Sequence, residues 1–427
     1  MFYNIFDKFN LKDIKNIFNY NNQENIINTG NEKEDFINNS YNKFNELYTK
    51  NNETLKNICS LITKEKLIPE YRLFIWQIFL DILPYNEPDK WKIIIDEYRS
   101  DYGMLKEKYI NEDIENYIKN PSIKGSKEYE KFKSIIEKKT FETITLIKLD
   151  VERTFKELDL FKKKKINISL INVLYIYSKE FPVPGYMQGM NELCGVLIYV
   201  LYRKFKLDSG FLENDNKINF CYYNLYKDNF FIEDDLYVLF KSLMNKDIRE
   251  FYRYNLPMYK NSSFSKLSLK EKIMLTKDEI DKSNESEIKK RFYLLFYKYL
   301  TQYNVEYGTL LVNLIEPDIF LLRWYLCLFS REFTIDNLLK IWDIILCYEW
   351  IENTKNKKKL DKHLNYIEFI CISMLKEVKN KIKENENDSN AALITIMHYP
   401  EEININNIIL NSIKICKKIT NENIFEY

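Results

Sequence analysis

The sequence predicts an all-α protein, a large multi-helix array in one continuous domain. Apolar residues recur at three- and four-residue steps in several segments, which is the spacing of one helix face. The alternation of apolar and polar residues that is typical of strands is absent, and eight glycines in 427 residues are too few for many tight turns. A solenoid is disfavoured because the chain has no fixed repeat of roughly 34 to 47 residues.

Helical stripes follow one another along the chain. The first lies within 67–83 and places on one face Leu73, Trp76, Phe79, Leu80 and Leu83. The second keeps the same spacing through Ile144, Ile147, Val151, Phe155 and Leu158. Segments 333–345 and 363–378 repeat the pattern, so each stripe predicts an amphipathic helix with a buried face.

Changes in composition suggest how the domain is organised. Residues 1–45 form an Asn- and Lys-rich N-terminal arm with scattered Phe side chains, and contact of this arm with a membrane surface is an open alternative. Residues 46–350 form the main domain, with a polar insertion at about 259–290. Residues 351–427 form a C-terminal helical part of the same domain.

The charge balance argues against a nucleic-acid partner. The chain has 64 basic and 63 acidic side chains, a net charge of +1, whereas phosphate contacts need a clear basic excess. No segment has the ~18 consecutive apolar residues of a spanning helix, so we expect a soluble, cytoplasmic protein with at most peripheral membrane contact. Recruitment to endomembranes is compatible with this expectation.

Residues of the usual catalytic and metal-binding types are sparse. The two histidines, His363 and His398, lie 35 positions apart, and neither a P-loop nor a GxGxxG motif occurs. The seven cysteines form no CxxC pair, so we expect buried, reduced thiols. A metal site, a cofactor site and a hydrolase site of its own are therefore not expected.

The segment FPVPGYMQGMNELCG, 181–195, contains three of the eight glycines and two of the nine prolines. The prolines predict an extended start, Gly185 a sharp turn, and the apolar run that follows a helix. Gln188 is then presented at a loop-to-helix junction, and Gly189 and Gly195 would let a partner's backbone or phosphate come close. The alternative is that these glycines only permit tight packing of helices.

A second segment, IKLDVERT, 147–154, places Asp150 and Arg153 three residues apart on one helix face. The simpler interpretation is a surface ion pair that contributes ~0.2–0.5 kcal/mol. The other is a guanidinium held in one orientation by the carboxylate and available to a phosphate.

Taken together, these segments resemble the TBC domain, the Rab GTPase-activating module. Its motifs occur here in order, with IxxDxxR about 35 residues before YxQGMN: Ile68–Trp76, Ile147–Arg153, Tyr186–Asn191 and Phe320–Asp343. Leu83-Pro84 before Trp91 and the segment 393–400 further resemble the branch that contains TBC domain family member thirteen.

The resemblance implies a domain of two helical lobes with a shared groove that stimulates GTP hydrolysis by a GTP-bound Rab in vesicle trafficking. Arg153 would be the arginine finger and Gln188 the glutamine finger, supported by Asp150, Tyr186, Gly189 and Asn191. GTP and Mg²⁺ would belong to the Rab. Residues of the motifs that would hold helices together are Arg72, Trp76, Arg323, Trp324, Trp342 and Asp343.

Two alternatives stay open at this point. One is a catalytically silent TBC scaffold that binds a GTPase or another trafficking protein. The other is a helical adaptor unrelated to GTPases. Silent members of the family often lack one finger residue, so the presence of both Arg153 and Gln188 favours catalysis.

Overall fold

The computed structural model describes residues 71–85, 87–120, 124–203, 231–254, 267–354 and 366–421, with the single residues 62, 225, 264 and 425. All of them fall within one unit of the fold, 52–427. The predicted N-terminal arm, 1–45, lies outside the described residues, and the divisions at 46 and 351 stay predictions.

Across these ranges the regular structure is entirely helical, which confirms the all-α class. Short 3₁₀ turns occur at Pro88–Lys90 and Asp159–Lys162, and a π-helical turn at Leu294–Tyr299. Between Met244 and Ile248 the chain kinks, and Asp247 has a φ of +66° there. The α-helices of the described ranges, in chain order, are α1 Arg72–Phe79, α2 Trp91–Tyr109, α3 Glu112–Lys119, α4 Lys127–Ile135, α5 Lys138–Val151, α6 Lys164–Glu180, α7 Met190–Arg203, α8 Ile232–Leu243, α9 Arg249–Phe251, α10 Leu269–Met274, α11 Lys277–Lys282, α12 Glu287–Tyr293, α13 Leu300–Tyr303, α14 Val305–Leu314, α15 Asp318–Leu326, α16 Ile335–Thr354, α17 Tyr366–Glu377, α18 Lys379–Lys383, α19 Ser389–Met397 and α20 Ile405–Thr420.

The second predicted stripe ends earlier than its spacing suggested. Helix α5 ends at Val151, and Phe155 has a φ of +41°, which a right-handed helix does not accommodate. The Asp150 carbonyl oxygen accepts from the Arg153 N–H (3.1 Å) and from the Thr154 hydroxyl (2.9 Å). These bonds tighten the last turn and satisfy a carbonyl that the helix leaves open, so the chain turns out of the helix before Phe155.

The predicted polar insertion is described at residue 264 and from residue 267 onward, and it contains two complete short helices, α10 and α11. Each begins with a capping box: Ser268 with Glu271 for α10, and Thr276 with Glu279 for α11. In both, the hydroxyl accepts from the backbone of the glutamate, and the glutamate accepts from the backbone of the capping residue. Local polar sequence therefore starts a helix here, although few apolar residues are available for packing.

The helices pack as two groups, in agreement with the two lobes expected. In the first group, α6 and α8 contact each other and both contact α2 and α7. In the second, α17 packs along α20, and the π-helical turn at Leu294–Tyr299 contacts α12, α13 and α14. Helix α1 contacts both α7 and α16, and α16 contacts α17 and α20, so these two helices connect the groups.

A buried ion pair joins α1 to α16. The Arg72 guanidinium donates to both carboxylate oxygens of Asp343, with Nε–Oδ1 at 2.9 Å and Nη2–Oδ2 at 3.0 Å. The Trp76 indole N–H donates to the same carboxylate at 2.7 Å, and its ring stacks on that of Trp342 at 5.6 Å between centroids. Because Arg72 and Asp343 are both buried, each charge compensates the other for the loss of hydration by water.

We predict that Asp343→Ala lowers the free energy of unfolding by about 3–5 kcal/mol, because the buried Arg72 charge loses its partner. Urea denaturation followed by circular dichroism measures the change. The control is Asp336→Ala, which removes an exposed carboxylate paired with Arg203 and should cost no more than about 1 kcal/mol. Equal losses for the two variants would contradict the structural importance of this ion pair.

Candidate functional site

Arg153 lies in the turn that follows α5, with its side chain 63% exposed. Its Nη2 donates to Asp150 Oδ1 at 2.5 Å, and its Nε donates to the Leu149 carbonyl oxygen at 3.1 Å. Two of the three guanidinium nitrogens are therefore held by the helix end, and Nη1 makes no hydrogen bond within the described ranges. The predicted ion pair forms even though Arg153 lies outside the helix itself.

The loop that carries Gln188 connects α6 to α7. Phe181–Pro184 is a turn rather than the extended segment predicted: the Gly185 N–H donates to the Phe181 carbonyl oxygen at 3.0 Å, and the Val183–Pro184 peptide bond is cis. Gln188 is exposed, one residue before the buried Gly189. Its carboxamide forms no hydrogen bond with any described residue, so both its donor and its acceptor are available.

One hydrogen-bond network connects the two turns. The Tyr186 hydroxyl donates to Asp150 Oδ2 at 2.8 Å, so the carboxylate that holds Arg153 also holds the glutamine loop. Asn191 Nδ2 donates to the Thr154 hydroxyl at 2.9 Å, and Asn191 Oδ1 accepts from the Gly189 N–H at 3.1 Å. Asp150, Thr154, Tyr186 and Asn191 are all buried. The structure thus brings together all the predicted supporting residues.

The raised pKa of Tyr186 fixes which group donates and which accepts in the hydrogen bond between Tyr186 and Asp150. Burial, and then the neighbouring Asp150 carboxylate, raise the pKa of Tyr186 far above its usual value. The hydroxyl therefore stays protonated and remains a donor throughout the physiological pH range. A permanent donor beside Asp150 offsets part of the cost of burying that carboxylate, which also accepts from Arg153.

The glycines serve the packing of the chain itself. Gly189 has a φ of +104°, and a Cβ there would lie 3.3 Å from the Leu326 carbonyl oxygen. A Cβ on Gly195 would lie 2.8 Å from Cγ2 of Thr154 and 3.0 Å from the Phe155 ring. Both residues are buried, so the interpretation that they leave room for a partner is wrong, and the packing alternative holds for both.

Of the remaining motif residues, the two tryptophans are buried and Arg323 is half-buried. Arg323 pairs with Glu332 at 2.5 Å and donates to the Met397 carbonyl oxygen at 2.7 Å, which joins α15 to α19. Trp324 is fully buried and packs edge-on against Phe320. The sixth member of the set, Trp342, donates its indole N–H to the Leu328 carbonyl oxygen at 3.0 Å.

Two further residues, Thr154 and Tyr252, contribute to the site and were not predicted from the sequence. Thr154, which closes the IKLDVERT segment, bonds both Asp150 and Asn191, and its position next to Arg153 was the available signal. Tyr252 lies behind Gly189 and donates its hydroxyl to the Leu326 carbonyl oxygen at 2.5 Å. No local pattern could have pointed to Tyr252, because it is more than 60 residues from Gly189 in the sequence.

The site can act on charge but supplies no nucleophile from its exposed groups. A guanidinium stabilises negative charge, and a carboxamide orients a water molecule or a polar group through its two functions. Within the described ranges, no group of three or more His, Cys, Asp or Glu side chains could hold a metal ion. No helix in the same ranges is both long enough and apolar enough to cross a membrane.

The fold is that of a helical Rab-GAP domain. The structure resembles the crystal structure of the Ypt/Rab-GAP domain of Gyp1p with a TM-score of 0.59 at 16% identity, covering 88% of this chain and 96% of that one. The sequence pattern of the Rab-GTPase-TBC domain matches residues 69–278 and 271–383. The chain therefore belongs to the Rab-GTPase-TBC domain family.

Among curated proteins, the chain is similar to TBC1 domain family member 5 of Homo sapiens, with 25% identity over 401 residues that cover 88% of this chain and 45% of that protein. It is 30% identical over 173 residues, 40% of this chain and 16% of that protein, to TBC1 domain family member 5 homolog B of Dictyostelium discoideum. The chain thus spans less than half the length of these relatives. They do not support the predicted branch of member thirteen.

We predict that Gly195→Ala lowers the free energy of unfolding by about 1–2 kcal/mol. The added methyl group overlaps Thr154 and the Phe155 ring, and this overpacking outweighs the gain in helix propensity. Thermal or urea denaturation measures the effect. The matched control is Gly103→Ala in α2, where nothing lies within 4 Å of the new Cβ and stability should rise by about 0.5–1 kcal/mol. A gain in both variants would contradict the close packing at Gly195.

Proposed function

We propose that this chain is a GTPase-activating protein for a Rab-family GTPase and supplies Arg153 and Gln188 to the GTP-bound partner. The observation that carries the proposal is the single network through Asp150, Tyr186 and Asn191 that holds the two turns bearing these side chains. Membership of the Rab-GTPase-TBC domain family supports the choice of partner.

Arg153 would enter the nucleotide site of the Rab. Hydrolysis of GTP builds negative charge on the β–γ bridging oxygen and the γ-phosphate oxygens, and a guanidinium stabilises that charge. The bonds to Asp150 and Leu149 leave Nη1 open and restrict the motion of the side chain, so less conformational entropy is lost when it meets the phosphate. GTP and Mg²⁺ are bound by the Rab.

Gln188 would orient the attacking water. A carboxamide can accept a hydrogen bond from the water through its oxygen while its NH₂ group donates to a neighbouring oxygen. Gln188 makes neither bond within the described ranges, and its loop is anchored on both sides by Tyr186 and Gly189. The backbone at Gln188 would therefore be fixed before the Rab binds. Only the side-chain rotamer would then have to be selected for the carboxamide to reach the water.

We expect the protein to act in vesicle trafficking, in the cytoplasm or at endomembranes, with no membrane contact beyond a peripheral one. In this proposal the active site belongs to the Rab, and this chain needs only a surface that is complementary to it. The small number of residues of the usual catalytic types in this chain is consistent with that. The partner in this proposal is the GTP-bound Rab, because only that state carries the γ-phosphate that Arg153 would contact.

The test is phosphate release from a panel of GTP-loaded Rabs, each alone and with the protein. We expect at least one Rab to respond, and both Arg153→Lys and Gln188→Ala to lose most of the stimulation. Removal of an arginine supplied in trans costs about 10³–10⁵-fold in rate, and lysine does not reproduce its planar, forked geometry.

Matched controls separate these losses from damage to the fold. Arg203→Lys changes another exposed arginine that pairs with an aspartate, and Gln302→Ala truncates another exposed glutamine; both should keep full stimulation. If the wild-type protein binds GTP-loaded Rabs without accelerating hydrolysis, it is a scaffold and the proposal fails. Equal activity of Arg153→Lys and the wild type would refute the role given to the guanidinium.

The Tyr186 hydroxyl supports both Arg153 and Gln188, because it joins the glutamine loop to the carboxylate that holds Arg153. Tyr186→Phe removes the hydroxyl that joins the glutamine loop to Asp150, and we expect about 10–100-fold less stimulation from the resulting misplacement. The loss should fall mainly on kcat, since the surface that the Rab contacts is unchanged. Tyr109→Phe, which alters a partly exposed ring with no hydroxyl bond in the described ranges, should leave both kcat and KM as they are. A wild-type kcat for Tyr186→Phe would refute the role of the Tyr186 hydroxyl in positioning the glutamine loop.

A further inference from the structure

A second candidate site is formed by residues other than those of the two turns. An open cleft of about 490 Å³ is bordered by the end of α1, the loop that follows it, α2 and the C-terminal part of α16. This volume is within the range of ~300–1,000 Å³ that is typical of ligand sites. None of the residues that line it belongs to the network around Asp150.

The floor of the cleft is apolar and its rim is aromatic. Ile78, Ile82, Leu83 and Trp350 are buried and form the floor. Tyr85 and Tyr98 rise at the rim, 38% and 37% exposed, and the Tyr85 ring meets Trp350 edge-on at 6.0 Å between centroids. Such a surface favours a large apolar side chain below and a flat or cationic group above.

The charge of the cleft is one-sided. Three carboxylates line it, those of Asp81, Glu97 and Asp101, and no basic side chain lines it in the described ranges. Asp81 is already paired, with Lys246. Glu97 and Asp101 are exposed, form no ion pair or hydrogen bond with a described residue, and lie four positions apart on α2. Like charges at this spacing repel each other, and a cation between them would relieve the repulsion.

We propose that this cleft binds a peptide segment of a protein partner that presents an arginine next to a large apolar side chain. The apolar side chain would occupy the floor at Leu83 and Trp350. The guanidinium would lie over the Tyr98 ring and between the carboxylates of Glu97 and Asp101. Arginine fits better than lysine, because its planar group stacks on aromatic rings and donates to two carboxylates at once.

This proposal is independent of the proposed GTPase-activating function, since the two sites share no residue. Binding of such a segment would attach the domain to a partner or recruit it to the partner's location while the turns bearing Arg153 and Gln188 remain accessible. The partner is defined here only by the chemistry of the segment: basic and apolar side chains adjacent in sequence.

The test uses the full chain and a set of fluorescein-labelled eight-residue peptides. Each peptide carries one arginine next to leucine, isoleucine, phenylalanine or tryptophan, and is matched by the same peptide with glutamine or glutamate in place of the arginine. Fluorescence anisotropy at low and moderate salt gives the affinities. We expect at least one arginine peptide to bind more tightly than its glutamine and glutamate counterparts, and its affinity to fall as the salt concentration rises.

Isosteric neutral variants locate the binding. Glu97→Gln/Asp101→Asn should weaken the arginine peptide about five- to tenfold and leave the glutamine peptide unchanged. Glu112→Gln/Asp113→Asn, a pair of exposed carboxylates on α3, should have no effect, and Arg153→Ala should bind as the wild type does. The proposal is overturned if no arginine peptide exceeds its glutamine counterpart, or if the Glu97/Asp101 variant binds as tightly as the wild type.

Discussion

The buried carboxylate of Asp150 is the constraint on which the site depends. Its two oxygens face different parts of the chain: Oδ1 accepts from Arg153 in the same turn, and Oδ2 accepts from Tyr186 in the loop before α7. A carboxylate that is 1% exposed requires such donors, because burial of an unpaired charge is costly. Because the Asp150 carboxylate needs hydrogen-bond donors, it fixes the position of the turn that carries Arg153 relative to the loop that carries Gln188.

Backbone geometry reinforces the same relation. Helix α5 ends at Val151 because the Asp150 carbonyl bonds to Arg153 and Thr154, and that turn packs directly against Gly195 in α7. On the other side, Gly189 lies against the Leu326 carbonyl that Tyr252 also bonds. The exposed Arg153 and Gln188 are thus carried by backbone that is enclosed by close contacts, so both side chains reach solvent from a closely packed scaffold.

Much of this arrangement could be predicted from the sequence, since spacing within a segment reports local geometry. The i to i+3 spacing of Asp150 and Arg153 predicted their ion pair, and the Gly and Pro content of 181–195 predicted a loop before a helix. The helix end at Val151 and the turn at Phe181–Pro184 were not predicted, since both depend on particular hydrogen bonds. The glycines were misinterpreted because the residues they pack against, Leu326 above all, are distant in sequence.

The cleft beside α2 could not be predicted from the sequence, because the residues that line it come from distant segments of the chain. Glu97 and Asp101 look like ordinary solvent-facing charges of an amphipathic helix, and nothing near them in the chain indicates Trp350, which α16 brings there. Helix α16 is held against α1 by the Arg72–Asp343 pair. One buried ion pair thus positions the two helices whose ends border this cleft, much as Asp150 positions the two turns of the first site. In both places a buried charge is paired with a group from a distant segment of the chain. These pairings fix the positions of the nearby exposed side chains that a second protein can reach.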